Sequence, residues 1–291
     1  MPYHDVLAGL RALFLEKPAA RSHWGALLQR RAPGLSPSER EALLALPEDR
    51  LDVYVNLVRD NQAAMLRFVA PATVEVLAKF CGAAEADVAR ATLLETPRRT
   101  GRLRELVARL VEHLRGPGAA WVAACPPVLD LARLEQVQTE VFYAPDDEGA
   151  LPPPAFAERV ASGTLDDVLA LRWAPSASLR VFESEHDVLA WRTERYATGA
   201  WGAPPPRLAD PVEVICARDP ATLQGEWHRL EPRVLDLVRP DVEGGTVEDL
   251  AMGWVEATGS DGEDPATAGR FVDALAAFVR SGAIAVRPVE A

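Results

Sequence analysis

LALRWAPSASLRVFESEHDVLAW, residues 169–191, is the stretch on which the fold turns. Leu165, Val168, Leu169 and Leu171 still share one helical face. Pro175 then disfavours helix at Ala174, because its ring crowds the preceding backbone. Beyond it, Leu179, Val181 and Glu183 fall on one side of an extended strand, with Arg180 and Phe182 on the other. Upstream, almost every apolar run has helical spacing; downstream come short alternating runs and three short helical ones. The expected fold class is therefore α+β and predominantly helical. It comprises a helical domain over residues 1–170 and a small winged-helix-like domain with a three-stranded sheet over residues 175–291.

At 291 residues the chain is long enough for one large or two ordinary domains. Its 48% apolar and 25% charged residues are the balance of a soluble globular protein rather than a disordered one. No apolar run has the length of a transmembrane helix. The start, MPYHDVLAGLRALF, lacks a basic region and a cleavage site and reads as a helix. Cys81, Cys125 and Cys216 are odd in number and widely spaced, which suits a reducing cytoplasm and gives no metal-ligand spacing. Charge is uneven. Residues 1–118 hold 17 basic and 14 acidic residues, whereas 119–291 hold 14 basic and 29 acidic ones. So acidic a second half repels phosphates and suits a cationic peptide or a protein with a basic face.

Along the first half, Ser36-Pro37-Ser38-Glu39 has the form of a capped helix start, with Ser36 as N-cap and Glu39 closing the box. Residues 48–69 form an amphipathic helix through Leu51, Tyr54, Val55, Val58, Met65 and Phe68. Further helices are expected from Pro71 to Gly82, over 84–96 and over 102–115, with Gly116-Pro117-Gly118 as a stop. Residues 127–144 give another, through Leu131, Leu134, Val141 and Phe142, and Ser162 to Asp166 would cap the helix leading into the hinge. In the second half, strands are expected at 178–184, 212–216, 225–231 and 283–287, and helices at 232–239, 246–257 and 265–281.

Two segments carry a family resemblance. Leu129–Asp146 contains Leu131-Ala132-Arg133-Leu134-Glu135 and then Ala144 and Asp146; Leu171–Trp191 contains Leu171, Pro175, Ser176 and Trp191. With Arg50, Leu51 and Tyr54 further upstream, this order of segments resembles the MbnC/HvfC-type family, whose N-terminal part carries the label of a DNA-binding domain. The chain departs from the family pattern at Ala174, where His is common, and at His186-Asp187, where Trp-Pro is common. The resemblance implies a partner protein rather than a catalyst. Such proteins accompany a TIM-barrel multinuclear iron oxidase and help it modify a ribosomally synthesised precursor peptide that contains cysteine. It also implies that the C-terminal module recognises the peptide leader, that the helical part docks on the oxidase, and that iron belongs to the partner, with no cofactor in this chain.

A sheet with an open edge accepts an extended leader by strand addition. Gly225–Glu231 is the expected edge and helix 265–281 the facing wall. The peptide-binding residues would be Leu223, Glu226, Trp227, His228, Arg229, Leu230, Phe271, Leu275 and Phe278; taken singly, the apolar ones read equally as ordinary core. Asp261, Glu263, Asp264 and Asp273 would steer a basic leader, or simply lie on a solvated face.

No catalytic or metal site is expected. His4, His23, His113, His186 and His228 are not paired at ligand spacing, and a nucleophile elbow, a P-loop and a dinucleotide turn are all missing. Cys216 and His228 lie on neighbouring expected strands and could meet; Glu183 and Glu185 share a strand face. The alternative reading is a DNA-binding transcriptional regulator. A recognition helix at 265–281 would offer only Arg270 and Arg280 against Asp264 and Asp273, so DNA is not the expected partner. The densest basic run, Arg98, Arg99, Arg102, Arg104 and Arg109, is a solvated helix face or a patch for an acidic partner.

Overall fold

The computed structural model describes residues 3–16, 20–94, 103–262 and 264–288. The fold is α+β and predominantly helical. It divides into two compact units, Met1–Ala132 and Arg133–Ala291. The break thus falls well before the expected 170–175 hinge. The reason is packing: Phe156, Val168 and Leu171 are buried in one core with Leu275 and Val286, so the segment ahead of the hinge folds with the sheets.

The first unit contains α1 (Tyr3–Glu16), a 3-10 turn (Arg21–His23), α2 (Trp24–Arg31), α3 (Pro37–Leu44), α4 (Glu48–Val69), α5 (Pro71–Cys81), α6 (Glu85–Leu94), α7 (Leu103–Arg115) and α8 (Ala119–Ala124). The break itself lies within α9 (Pro127–Phe142). Ser36 caps α3 as its sequence predicts: its hydroxyl accepts from the Glu39 N–H, and the Glu39 carboxylate accepts from the Ser36 N–H at 2.9 Å. Pro71 starts α5, and Gly82 ends it in the left-handed conformation. Leu13, Trp24, Leu27, Leu28, Leu51 and Val55 form one core.

In α4 Leu51 and Val55 are buried as expected, with Ala63 and Leu66 beside them, while the side chain of Val58 lies outside the described residues. Val53, Tyr54, Leu57 and Phe68 are instead more than half exposed, and Phe68 is 77% exposed. This helix carries apolar residues on two faces, and only one of them is in the core.

The second unit contains α10 (Pro153–Ser162), α11 (Leu165–Leu169), β1 (Arg172–Pro175), β2 (Arg180–His186), α12 (Val188–Thr198), β3 (Arg207–Arg218), β4 (Gly225–His228), α13 (Pro232–Val238), β5 (Gly245–Thr246), α14 (Val247–Thr258), α15 (Pro265–Arg280) and β6 (Ile284–Arg287). The α11 cap is Thr164, inside the segment expected to hold it, with Asp167 one residue beyond. The strands make two antiparallel three-stranded sheets, β2–β3–β4 and β5–β1–β6, where the sequence suggests one. The second exists because Arg172–Pro175 is extended and pairs with β6, placing Trp173 opposite Val286 and Pro175 opposite Ile284. Proline is tolerated there because its nitrogen faces away from β6, on a side where β5 pairs only with Arg172 and Trp173. The helices α13, α14 and α15 contribute Leu235, Leu250 and Leu275 to a core shared with Ile215 and Ala217 of β3 and Ile284 and Val286 of β6. Among the described residues, no helix is long and apolar enough to cross a membrane.

Candidate functional site

The β3–β4 hairpin builds the site. β4 pairs with β3 alone: Ile215 faces His228, Cys216 faces Trp227, Ala217 faces Glu226 and Arg218 faces Gly225. The direction of the backbone groups follows from two bonds. The Asp219 N–H donates to the Gln224 carbonyl at 2.9 Å, across the hairpin. The Arg218 N–H donates the other way, to the Ser178 hydroxyl at 3.1 Å. Backbone groups alternate sides along a strand. Glu226 and His228 therefore turn their N–H and C=O toward β3. Gly225 and Trp227 turn theirs to the open edge, where they have no hydrogen-bond partner among the described residues.

Side chains alternate as well. Glu226 and His228 face a cleft of about 300 Å³ lined also by Ile215, Leu230, Ala277, Phe278, Arg280 and Ser281. The structure thus brings together four of the nine expected residues: Glu226, His228, Leu230 and Phe278. The His228 Nε2 lies 3.8 Å from Glu226, an ionic contact only if the ring is protonated.

The remaining five are placed elsewhere. Phe271 and Leu275 are core residues, and Phe271 packs on Trp254 with ring centres 5.9 Å apart. α15 meets the cleft through its last turn, so residues farther back on the same stripe are covered. Trp227 points to the opposite face of the sheet, edge-on to Phe182 at 5.7 Å. Arg229 is exposed, with its guanidinium 3.7 Å from Asp187. Leu223, at φ 60 in the hairpin turn, lines a neighbouring cavity of about 230 Å³ with Asp146, Ser176 and Arg218.

Sequence reasoning missed Ile215, Ala277, Arg280 and Ser281. The one signal for them was Arg280-Ser281-Gly282 itself, the polar end of an apolar helix. Gly282 has φ 70, and a side chain there would strike the Arg218 carbonyl, so only glycine lets α15 end against the hairpin.

Other expected constellations resolve differently. Cys216 and His228 do not meet, because paired positions share a face and Cys216 pairs with Trp227. Burial pushes the Cys216 thiol up to about 12. Glu185 pairs with Arg207 at 2.7 Å. Glu183 stands opposite Glu213, whose carboxylate takes the Arg239 guanidinium nitrogen Nη2 at 2.9 Å to each oxygen. Asp264 caps α15 at the end away from the cleft, accepting from the Ala266 N–H at 2.9 Å, and Asp261 and Asp273 do not line the cleft either. Glu263, Arg98, Arg99 and Arg102 lie outside the described residues, as does the side chain of Arg104. Arg109 is buried, 3.7 Å from Glu105. Arg270 bonds Thr267 within its own helix and stands 3.9 Å from Asp264. Among the described residues, no group of three or more His, Cys, Asp or Glu could hold a metal ion.

The residues that carry the family resemblance form the frame of this region. The Asp147 carboxylate accepts from the Ser176 hydroxyl at 2.7 Å and from the Ala177 N–H at 2.8 Å. Arg218, mostly buried, donates to the carbonyls of Ala144 at 2.9 Å and Pro145 at 3.1 Å, and to the Asp146 carboxylate at 2.6 Å. It caps the unpaired carbonyls that follow α9. Glu135 and Arg192 are both buried; burial lowers the pKa of Arg192, and the charge of Glu135 partly offsets this by favouring the cation. The Arg192 guanidinium also donates to Gln138 at 2.6 Å, joining α12 to α9.

No protein-family model matches the chain, and no curated protein matches it significantly.

Proposed function

We propose that this chain is a non-catalytic accessory protein. It binds the leader of a ribosomally made precursor peptide and presents the cysteine-containing core to a partner multinuclear iron oxidase. The observation that carries the reading is the open edge of β4. Gly225 and Trp227 offer backbone donors and acceptors beside a cleft lined by both apolar and charged side chains. An extended peptide satisfies such an edge by pairing with it, while the cleft selects its side chains.

The helical unit supports the second half of the reading. Val53, Tyr54, Leu57 and Phe68 expose an apolar face on α4, the kind of surface that a protein partner covers. In this reading the protein works in the reducing cytoplasm, in keeping with its three free cysteines.

Co-expression with an iron oxidase encoded beside it tests the proposal, followed by sizing chromatography and iron analysis. A stable complex with iron only in the partner supports it. A chain that elutes alone and carries its own metal overturns it.

A further inference from the structure

The cleft beside β4 shares a lining residue with a second cavity. Arg280, in the last turn of α15, lines both the cleft and this second cavity of about 690 Å³. Pro153 and Phe156 of α10, Pro220 of the hairpin turn, and Ala276 and Val279 of α15 make this second cavity largely apolar.

Arg280 is exposed and has no ion-pair or hydrogen-bond partner among the described residues. The other charged group of the second cavity, Asp219, is already occupied. Its carboxylate accepts from the Ala221 N–H at 2.8 Å and the Thr222 hydroxyl at 2.8 Å, and these bonds hold it below the usual carboxylate range. Glu226, the acidic group of the first cleft, has His228 at 3.8 Å. Among the described residues, Arg280 is thus an uncommitted cation that lines both cavities.

We infer that the peptide site continues from the β4 edge across Arg280 into the apolar cavity. It takes a segment in which an acidic side chain, paired with Arg280, neighbours a large apolar side chain that fills the cavity. The inference rests on the peptide reading above and gives that peptide a chemistry. An extended chain is the occupant that can meet a sheet edge, a charge and an apolar cavity in succession. A cation flanked by apolar surface is best met by one anion whose neighbours bury apolar area. The site therefore asks for an acidic-apolar segment, whereas the sequence suggested a basic leader.

Random peptides displayed on phage and panned against the full chain test this. Arg280→Glu and Ala276→Trp serve as variants, with circular dichroism and melting to confirm the fold. The intact protein is expected to enrich sequences that pair Asp or Glu with a nearby large apolar residue. Arg280→Glu should exchange the acidic preference for Lys or Arg. Ala276→Trp, which fills the cavity, should weaken the enriched peptides about tenfold or more. Enrichment without an acidic residue, or the same peptides on Arg280→Glu, overturns the extension while leaving the β4 edge in place. No enrichment on the intact protein overturns the edge reading and the extension together. If Ala276→Trp does not fold, the exposed Arg280 variant still decides.

Discussion

Asp147 and Ser176, separated by 29 positions, are joined by a hydrogen bond of 2.7 Å. The same carboxylate also accepts the Ala177 N–H, and the Ser176 and Ser178 hydroxyls lie 2.9 Å apart. Ser178 in turn accepts from the Arg218 N–H. One carboxylate thus organises the turn between β1 and β2 and, through Ser178, the root of the hairpin that forms the site. Asp147→Ala takes the acceptor from the Ala177 N–H and leaves the buried Ser176 hydroxyl only Ser178 to bond. It is expected to lower stability by about 1–3 kcal/mol, read as a shifted urea midpoint. An unmoved midpoint would show that water replaces the carboxylate without loss.

Proline at two adjacent positions of β4 separates the two sides of the strand. Trp227→Pro removes an N–H that faces the open edge, and His228→Pro removes one that faces β3. The first should weaken a bound peptide by a few-fold to about tenfold, as one lost hydrogen bond does. The second should lower the melting temperature. Trp227→Ala keeps the N–H and controls for loss of the ring contact with Phe182. Equal peptide binding by Trp227→Pro and Trp227→Ala in anisotropy titrations would refute the edge assignment.

Acid should loosen several helix starts together. Glu39, Asp167 and Asp249 each accept hydrogen bonds from their N-cap residue, and those bonds lower their pKa. A carboxylate with a depressed folded pKa binds protons more readily in the unfolded chain. It therefore stabilises the fold above its ordinary value, 4.5 for Glu39 and 3.8 for the two aspartates, and that contribution is lost as pH falls through the depressed value. Melting curves should be flat with respect to these groups from neutrality down to that range and fall below it. Glu39→Gln should reduce the slope.

The thiols should differ in reactivity. Burial pushes Cys125 to about 11 and Cys216 to about 12, so both stay protonated at neutral pH and shielded from reagent. Cys81, partly exposed, donates to the Trp121 carbonyl at 3.3 Å. Native alkylation followed by peptide mass spectrometry should label Cys81 first. Labelling of Cys216 at a similar rate would contradict the buried hairpin.

Local signals were legible in the sequence. The Ser36–Glu39 box, the Pro71 start, α14 and α15 lie where periodicity and capping put them; each strand of the hairpin sheet overlaps its expected run, but β3 begins at Arg207 rather than 212 and β4 stops at His228 rather than 231. What was not legible depends on distant partners. β1 is four residues long and pairs with Ile284–Arg287 at the other end of the chain, while β5 is only Gly245–Thr246. Neither is long enough to display an alternation. The unit boundary was hidden for the same reason, since nothing local in Phe156 or Val168 shows which core receives it. In the site, Phe271, Leu275 and Phe278 form one stripe by spacing. Only the angle at which α15 meets the hairpin shows that Phe278 alone of the three reaches the cleft, together with Arg280.

β4 is only four residues long, and two of them face outward. A guest strand can gain from it two donors and two acceptors, each contributing about 0.5–1.5 kcal/mol net. A grip of that size, before any side chain is seated, releases quickly, because related complexes differ mainly in how fast they come apart. The brevity of the edge therefore sets a clock. A chain held here exchanges rapidly unless its side chains slow it, so the length of β4 favours repeated handover over storage.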